Sequence, residues 1–479
     1  MIFNSLTFFI FLVFFLLLYE VVKKYTQLRL WLIFIASCIF YGWWDWRFLF
    51  LIFFTGGIDV CMALCLEKAQ NIQNIRTRNF IRKFCLALSL FSGIGVLSVF
   101  KYSKFFAEII SSLLKYLGLN ISLAAHIPEF CLILPVGISF YTFQSLSYTI
   151  DVYRGVLRPS KNPIHYMAYL MLFPQLVAGP IVRAIDLLPK LLTVPQISNT
   201  IKYNAVKLII TGFFKKCVIA DRAAIYVDTV FSNSHLYTGS ITWLIVMLLF
   251  SIQIYCDFSG YSDIARGLIK YMGYSFPLNF NHPYIACGMH DFWSRWHISL
   301  STWFRDYLYI PLGGNKKGKI RTYLNLFITF LVSGLWHGAA WNFIIWGTYH
   351  AVIQIIERIF NLKKYFTTQC RMLAGIAVTW IFVITGWIFF RASSLQEALY
   401  VLHKIYSFSY ESTKLKISYP LFIIMLFMLF EAFLIMKTDQ KLLKRFKIYR
   451  SLEPFLLGIF VIVIILFRGD EHGFIYFQF

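Results

Sequence analysis

Apolar runs recur along nearly the whole chain, near positions 1–22, 30–54, 84–100, 130–150, 163–179, 205–220, 239–256, 322–357, 373–390, 418–436 and 454–467, each closed by a short polar break. A helix needs about 20 apolar residues to cross a bilayer, so several of these runs are too short for a simple crossing and 322–357 is long enough for a hairpin. The pattern predicts an all-α polytopic membrane protein of roughly eleven to thirteen transmembrane helices, some tilted or re-entrant, with interfacial helices beside them. The first 22 residues have no basic leader and no small-residue cleavage site, so they read as a retained first helix. The stretch Tyr102–Leu123 mixes lysines and a glutamate with a broad apolar face, which suits a helix lying along the interface or one that crosses.

Composition agrees with this pattern: 59% of the 479 residues are hydrophobic, and the mean hydropathy is +0.67. The polar stretches 68–83, 180–204 and 281–321 are each too short to bury a core, so the chain reads as one integral membrane domain, 1–479. Within it lie N-terminal helices (1–125), an informative core (130–392) and C-terminal helices with a tail (393–479). The formal charge of +23 sits in short loops between apolar runs, a pattern that orients a membrane protein and argues against nucleic acid as a partner. Placing Lys23, Lys24 and Arg29, then Arg76–Lys83, Lys316–Arg321, Lys363–Arg371 and Lys437–Arg450 in the cytoplasm threads the chain with both termini outside. Lys215 and Lys216 in GFFKKCVIADR fit the same topology signal. The nine cysteines lack the paired spacing of a zinc site or disulfide framework, and only Cys256, beside Asp257, stands out as a potential thiol.

Chemistry concentrates in two places. In SGLWHGAAWNF (333–343), His337 lies on the order of 20 Å along a helix from the basic edge at Arg321. An ionisable group at that depth faces a cavity, a partner or a pathway, and a neutral imidazole can act as general base for a hydroxyl attacking a thioester. A histidine hydrogen-bonded within a bundle is the other reading. Gly334 and Gly338 allow close backbone approach at or near a hairpin turn, and Trp336 and Asn342 flank the histidine as positioning candidates. The block 279–319 holds His297 together with Trp293, Trp296, Trp303, Tyr307 and Tyr309, suited to the headgroup layer. There Arg295 and Arg305 can pair with Asp291 and Asp306, and Lys316, Lys317 and Lys319 serve either as phosphate ligands or as a topology signal. His297 either shares the cavity of His337 or tips an aromatic interface. Asp257, Ser259 and Asp263 in YCDFSGYSDIARG are candidates to orient substrate or pair with Arg266, and the broken FPQLVAGPIVR (173–183) suits a protein-lined cavity. No H-E-x-x-H or G-x-S-x-G is present, so no metal is expected. The aromatic end FIYFQF (474–479) would not stay in water and is expected to fold back into the domain or anchor in the aromatic belt.

Taken together, FPQLVAGPI, GFFKK, YCDFSGYSDIA, FWSRWHISLSTWFRDYLYIPLGG and SGLWHGAAWNFIIWG resemble the membrane-bound O-acyltransferases, in the bacterial branch of alginate and peptidoglycan O-acetyltransferases and teichoic-acid D-alanyl exporters. The resemblance covers roughly 130–357. It implies a helical bundle around a central channel, His337 as catalytic histidine, His297 as the second signature histidine, and Tyr476 as an acyl relay. It further implies acetyl-CoA as donor with no tightly bound cofactor, a bacterial inner-membrane location among lipids, and a periplasmic SGNH-type O-acetyltransferase as partner. The acceptor it implies is an extracytoplasmic polysaccharide, peptidoglycan before alginate. A D-alanyl or other acyl exporter of the same fold, and a passive transporter, are the competing functions.

Overall fold

Three kinds of break divide this apolar chain into helices. Side-chain oxygens cap some starts: Ser5 accepts from the Phe8 amide at 3.1 Å and Asn74 from the Arg76 amide at 3.0 Å. Proline opens another at Pro163, behind the Asn162 cap. Three π-turns interrupt longer runs at Ser98–Tyr102, Phe214–Ala220 and Arg305–Tyr309. The computed structural model describes residues 1, 3–176, 179–362, 369–410, 418–438, 447–467 and 473–474, and all regular structure among them is helical.

The helices form two compact units. The first, Met1–Ala205 with Ala265–Pro277, contains α1 (Leu6–Val22), α2 (Thr26–Asp45), α3 (Leu49–Ala69), α4 (Ile75–Leu97), α5 (Ser103–Tyr116), α6 (Ile138–Tyr153) and α7 (Pro163–Leu170). Its interior is pinned by one carboxylate. Asp59 on α3 is fully buried and accepts from Ser89 on α4 (2.6 Å), from Ser145 (2.5 Å) and Thr149 (3.3 Å) on α6, and from Tyr166 on α7 (3.0 Å), tying four helices to a single carboxyl group. Arg29, grouped by sequence with the cytoplasmic topology charges, is buried, and its guanidinium donates to the carbonyls of Lys23, Leu191 and Thr193. The Tyr102–Leu123 stretch supplies α5, which continues α4 through the first π-turn.

The second unit, Val206–Ile264 with Leu278–Phe479, draws on α8 (Asn199–Phe213), α9 (Asp221–Ser232), α10 (Ser240–Tyr271), α11 (Met289–Arg295), α12 (Ile298–Phe304), α13 (Gly318–His337), α14 (Trp341–Phe360), α15 (Gln369–Arg391), α16 (Leu395–Tyr406), α17 (Ser418–Thr438) and α18 (Lys447–Phe467). Among the described residues five helical segments are long and apolar enough to cross a membrane: Thr26–Ala69, Ile75–Tyr116, Ser240–Tyr271, Cys370–Arg391 and Ser418–Ile435. Leu6–Val22 and Leu452–Phe467 are shorter apolar helices. The protein is a multi-pass membrane protein.

The hairpin expected over 322–357 is α13 and α14, turning at 338–340. Its helices meet backbone to backbone. A Cβ on Gly334 would run into the Phe343 carbonyl and come within 3.2 Å of the Gly347 Cα, and one on Gly347 would meet the Phe330 carbonyl at 2.5 Å. Replacing either glycine must therefore push the helices apart. Gly334→Val and Gly347→Val are each expected to cost about 2 kcal/mol or more and to lower the thermal transition of the detergent-solubilised protein. An unchanged transition in both would show that the backbone contact is not what closes the hairpin.

Candidate functional site

The polar end of this hairpin meets the short aromatic helices that precede it. His337 is the last residue of α13 and is 5% exposed. Aromatic rings enclose its imidazole, with Trp336 and Trp346 at 4.9 Å and Phe390 at 5.2 Å between centroids. His297 lies between α11 and α12 and is 1% exposed. Its ring packs on Phe258 at 4.6 Å and on Trp336 at 6.1 Å, so one indole contacts both histidines. Burial in this aromatic shell pushes the His297 imidazole down to about 3, and the ring is neutral across the physiological range.

His297 takes a left-handed backbone conformation, φ 43°, which a residue with a side chain adopts only when its surroundings enforce it. The enforcing residue is Asn279, itself fully buried. Its carbonyl accepts from the Ile298 amide at 2.9 Å, its Oδ1 accepts from the Ser299 hydroxyl at 2.9 Å, and its Nδ2 donates to Ser262 Oγ at 3.1 Å. Asn279 thereby ties the two residues that follow the histidine to α10.

Both histidines line a cavity of about 420 Å³, large enough for part of an extended organic ligand. Trp293, Trp296, Leu300, Phe304, Leu326 and Phe330 give it apolar walls, while Arg305, Arg358, His290 and Gln354 supply its polar groups. Leu326, Thr329, Phe330, Ser333 and His337 follow the i, i+3, i+4 repeat of one face of α13, and Gln354 and Arg358 do the same on α14. A neutral imidazole in an apolar wall can take a proton from a hydroxyl held beside it, and two guanidinium groups can bind an anion.

The cavity gathers some of the sequence-predicted residues and leaves others out. His297, His337, Trp296 and Arg305 line it. Trp336 touches both imidazoles, and Asp306 holds the Arg305 guanidinium at 2.6 Å. Asn342 is buried and donates to the Ala392 carbonyl at 2.8 Å, joining the start of α14 to the end of α15. Lys316, Lys317 and Lys319 are exposed and absent from the cavity lining. Asp257, Ser259 and Asp263 are buried on α10 and are absent from that lining as well. Asp257 pairs with Lys216 at 2.8 Å, which also reaches Asp221 at 2.9 Å, and Asp263 pairs with Lys215 at 2.8 Å. The topology reading of these two lysines is thus overturned: they are 5% and 2% exposed, and their charges are neutralised inside the unit. Cys256 is buried beside them, and Tyr476 lies outside the described residues.

Sequence reasoning missed Asn279, Ser333, Gln354 and Arg358. The α13 and α14 positions were readable as helical neighbours of His337 and of one another, but the Asn279 contacts depend on tertiary packing.

A family model for the membrane-bound O-acyltransferases matches residues 156–396, half of the chain, and includes the whole two-histidine cavity. The chain belongs to the membrane-bound O-acyltransferase family. It is therefore an acyltransferase. Among its relatives, a probable alginate O-acetylase of Pseudomonas putida is 39% identical over 85% of this chain and 81% of its own length. A peptidoglycan O-acetyltransferase of Helicobacter pylori is 34% identical over 78% of this chain and 73% of its own. A teichoic acid D-alanyltransferase of Bacillus subtilis is 32% identical over 55% of this chain and 70% of its own.

The Asn279 clamp is expected to be required for an ordered site. Asn279→Ala removes the side-chain bonds to Ser299 and Ser262 and should cost about 1–3 kcal/mol while lowering acyl transfer further than the loss of folded protein explains. Activity per folded molecule equal to that of the native chain would remove Asn279 from the machinery that positions His297.

Proposed function

We propose that this acyltransferase takes an acetyl group from acetyl-CoA at the cytoplasmic face of the bacterial inner membrane and delivers it for O-acetylation of an extracytoplasmic polysaccharide. The observation that carries this reading is that His297 and His337 open on one cavity bordered by two arginines. In the transfer, an acceptor hydroxyl attacks the thioester carbonyl, the C–O bond forms and the C–S bond breaks. His337 takes the hydroxyl proton and returns it to the leaving thiolate, so that CoA departs as the free thiol. Arg305 and Arg358, which line the cavity, join Lys316, Lys317 and Lys319 as candidate groups for the donor's phosphates. Delivery to the polysaccharide passes through a periplasmic SGNH-type transferase, with Tyr476 as the acyl relay. Relatives named for alginate and for peptidoglycan support a polysaccharide acceptor, and the test takes both.

A second donor is supported by the D-alanyltransferase relative: a D-alanyl thioester on a carrier protein. Proteoliposomes holding the purified protein should release free CoA from labelled acetyl-CoA and leave a charged carrier protein intact; the opposite pattern would replace the donor. His337→Ala is expected to abolish CoA release in protein that still inserts, and retained release would end its assignment as the base. Arg358→Ala is expected to raise KM for acetyl-CoA about tenfold with kcat nearly unchanged, since one charged hydrogen bond contributes on the order of 1.5–3 kcal/mol. Tyr476→Phe should block acetylation of peptidoglycan and alginate fragments while donor binding persists. Normal acetylation in that variant would reduce the tail to an anchor.

A further inference from the structure

The buried charges around Lys216 also reach the chain's C-terminal residues. Lys216 sits in a π-turn, 2% exposed, between the carboxylates of Asp221 and Asp257. Burying three charged groups is costly unless each is fully coordinated, and an ammonium has three protons to place. Two point to the carboxylates. A further contact of the same Nζ is the backbone carbonyl of Gly473, at 3.3 Å. The next residue, Phe474, is fully buried, with its ring 4.6 Å from Tyr261 and 5.5 Å from Phe258. Lys216 lies over the Tyr261 ring at 5.6 Å, so this ring contacts both the ammonium and Phe474. Phe258 in turn contacts His297 at 4.6 Å.

We propose that the Lys216 cluster is a receptor for the chain's own C-terminal segment, with Gly473 and Phe474 as the docked residues, and that docking supports the aromatic wall behind His297. Lys216 holds the tail by its carbonyl, an attachment that any residue at 473 could make, whereas Phe474 supplies the shape that the Phe258 and Tyr261 rings accept. Lys216 and Phe474 act on the reaction through Phe258 and are positioning residues. The effect on turnover rests on the acyl-transfer reading above. The docking does not.

Hydrogen exchange of the full-length, detergent-solubilised chain, followed by mass spectrometry of the C-terminal peptide, tests the docking without turnover. Phe474→Ala and Lys216→Gln are expected to speed exchange in that peptide about tenfold, the effect of losing about 1.4 kcal/mol of protection. Lys216→Arg, which keeps the charge and the donor, should behave as the native chain. Peptides from α13 and α14 should exchange at native rates in Phe474→Ala; if Lys216→Gln disturbs them by stranding two carboxylates, Phe474→Ala decides. Native exchange in the tail of Phe474→Ala overturns the docking. Because Phe474 lies two residues from the proposed relay Tyr476, hydrolytic CoA release is compared in a Tyr476→Phe background, where adding Phe474→Ala should lower kcat about tenfold with KM for acetyl-CoA held, since the donor arginines are untouched. Faster tail exchange with unchanged kcat overturns the support of His297 and leaves the docking. Altered exchange together with no CoA release from the native chain overturns the donor assignment instead.

Discussion

The site depends on two helix backbones touching. Gly334 and Gly347 let α13 and α14 approach without a side chain between them, and that contact sets the height at which His337 ends its helix. A side chain at either position would meet the backbone of the facing helix, and the same pair of helices carries His337 and the Trp346 ring packed on it. The cavity inherits its shape from the same contact: one wall is a single face of α13, and the second carries Gln354 and Arg358 from α14. A small residue at a crossing thereby determines where a large polar group ends up.

Charge inside the second unit follows the rule for low-dielectric interiors. A lone ammonium there would be prohibitively costly, and among the described residues Lys215 is met by Asp263 of α10, and Lys216 by Asp257 of α10 and by Asp221 just beyond its own turn. The same requirement governs Asp59 in the first unit, where four hydroxyls do the work that cations do in the second. A count of positive residues cannot see this difference. Lys215 and Lys216 read as a loop signal because the rule that orients membrane proteins uses loop lysines, and local sequence does not say which lysines have acids facing them.

The helical class and the hairpin over 322–357 were legible from apolar run length, whereas the sequence left His297 between the cavity of His337 and an aromatic interface, and packing places it on the cavity. The pairings of Arg295 with Asp291 and of Arg305 with Asp306 were legible too, being four and one residues apart. What stayed hidden depends on distance along the chain. Asn279 reaches Ser299 across 20 residues and Ser262 across 17, and neither contact leaves a periodic trace. Arg358 lay in plain helical register with Gln354, but only the packing of α13 against α14 shows that both reach the cavity.

Two histidines on one cavity raise the question of which carries the proton in the proposed transfer, and the burial of His297 bears on it. A base must hold its proton between attack and departure of the thiolate, which favours a conjugate acid titrating near the working pH. Burial pushes His297 from 6.5 to about 3, far too acidic to retain a proton taken from a hydroxyl. As a neutral ring it can donate or accept one hydrogen bond, which suits polarising or orienting a carbonyl. In the proposed mechanism His337 keeps the role of base that the family resemblance implies, and the strained turn held by Asn279 serves to aim a neutral ring.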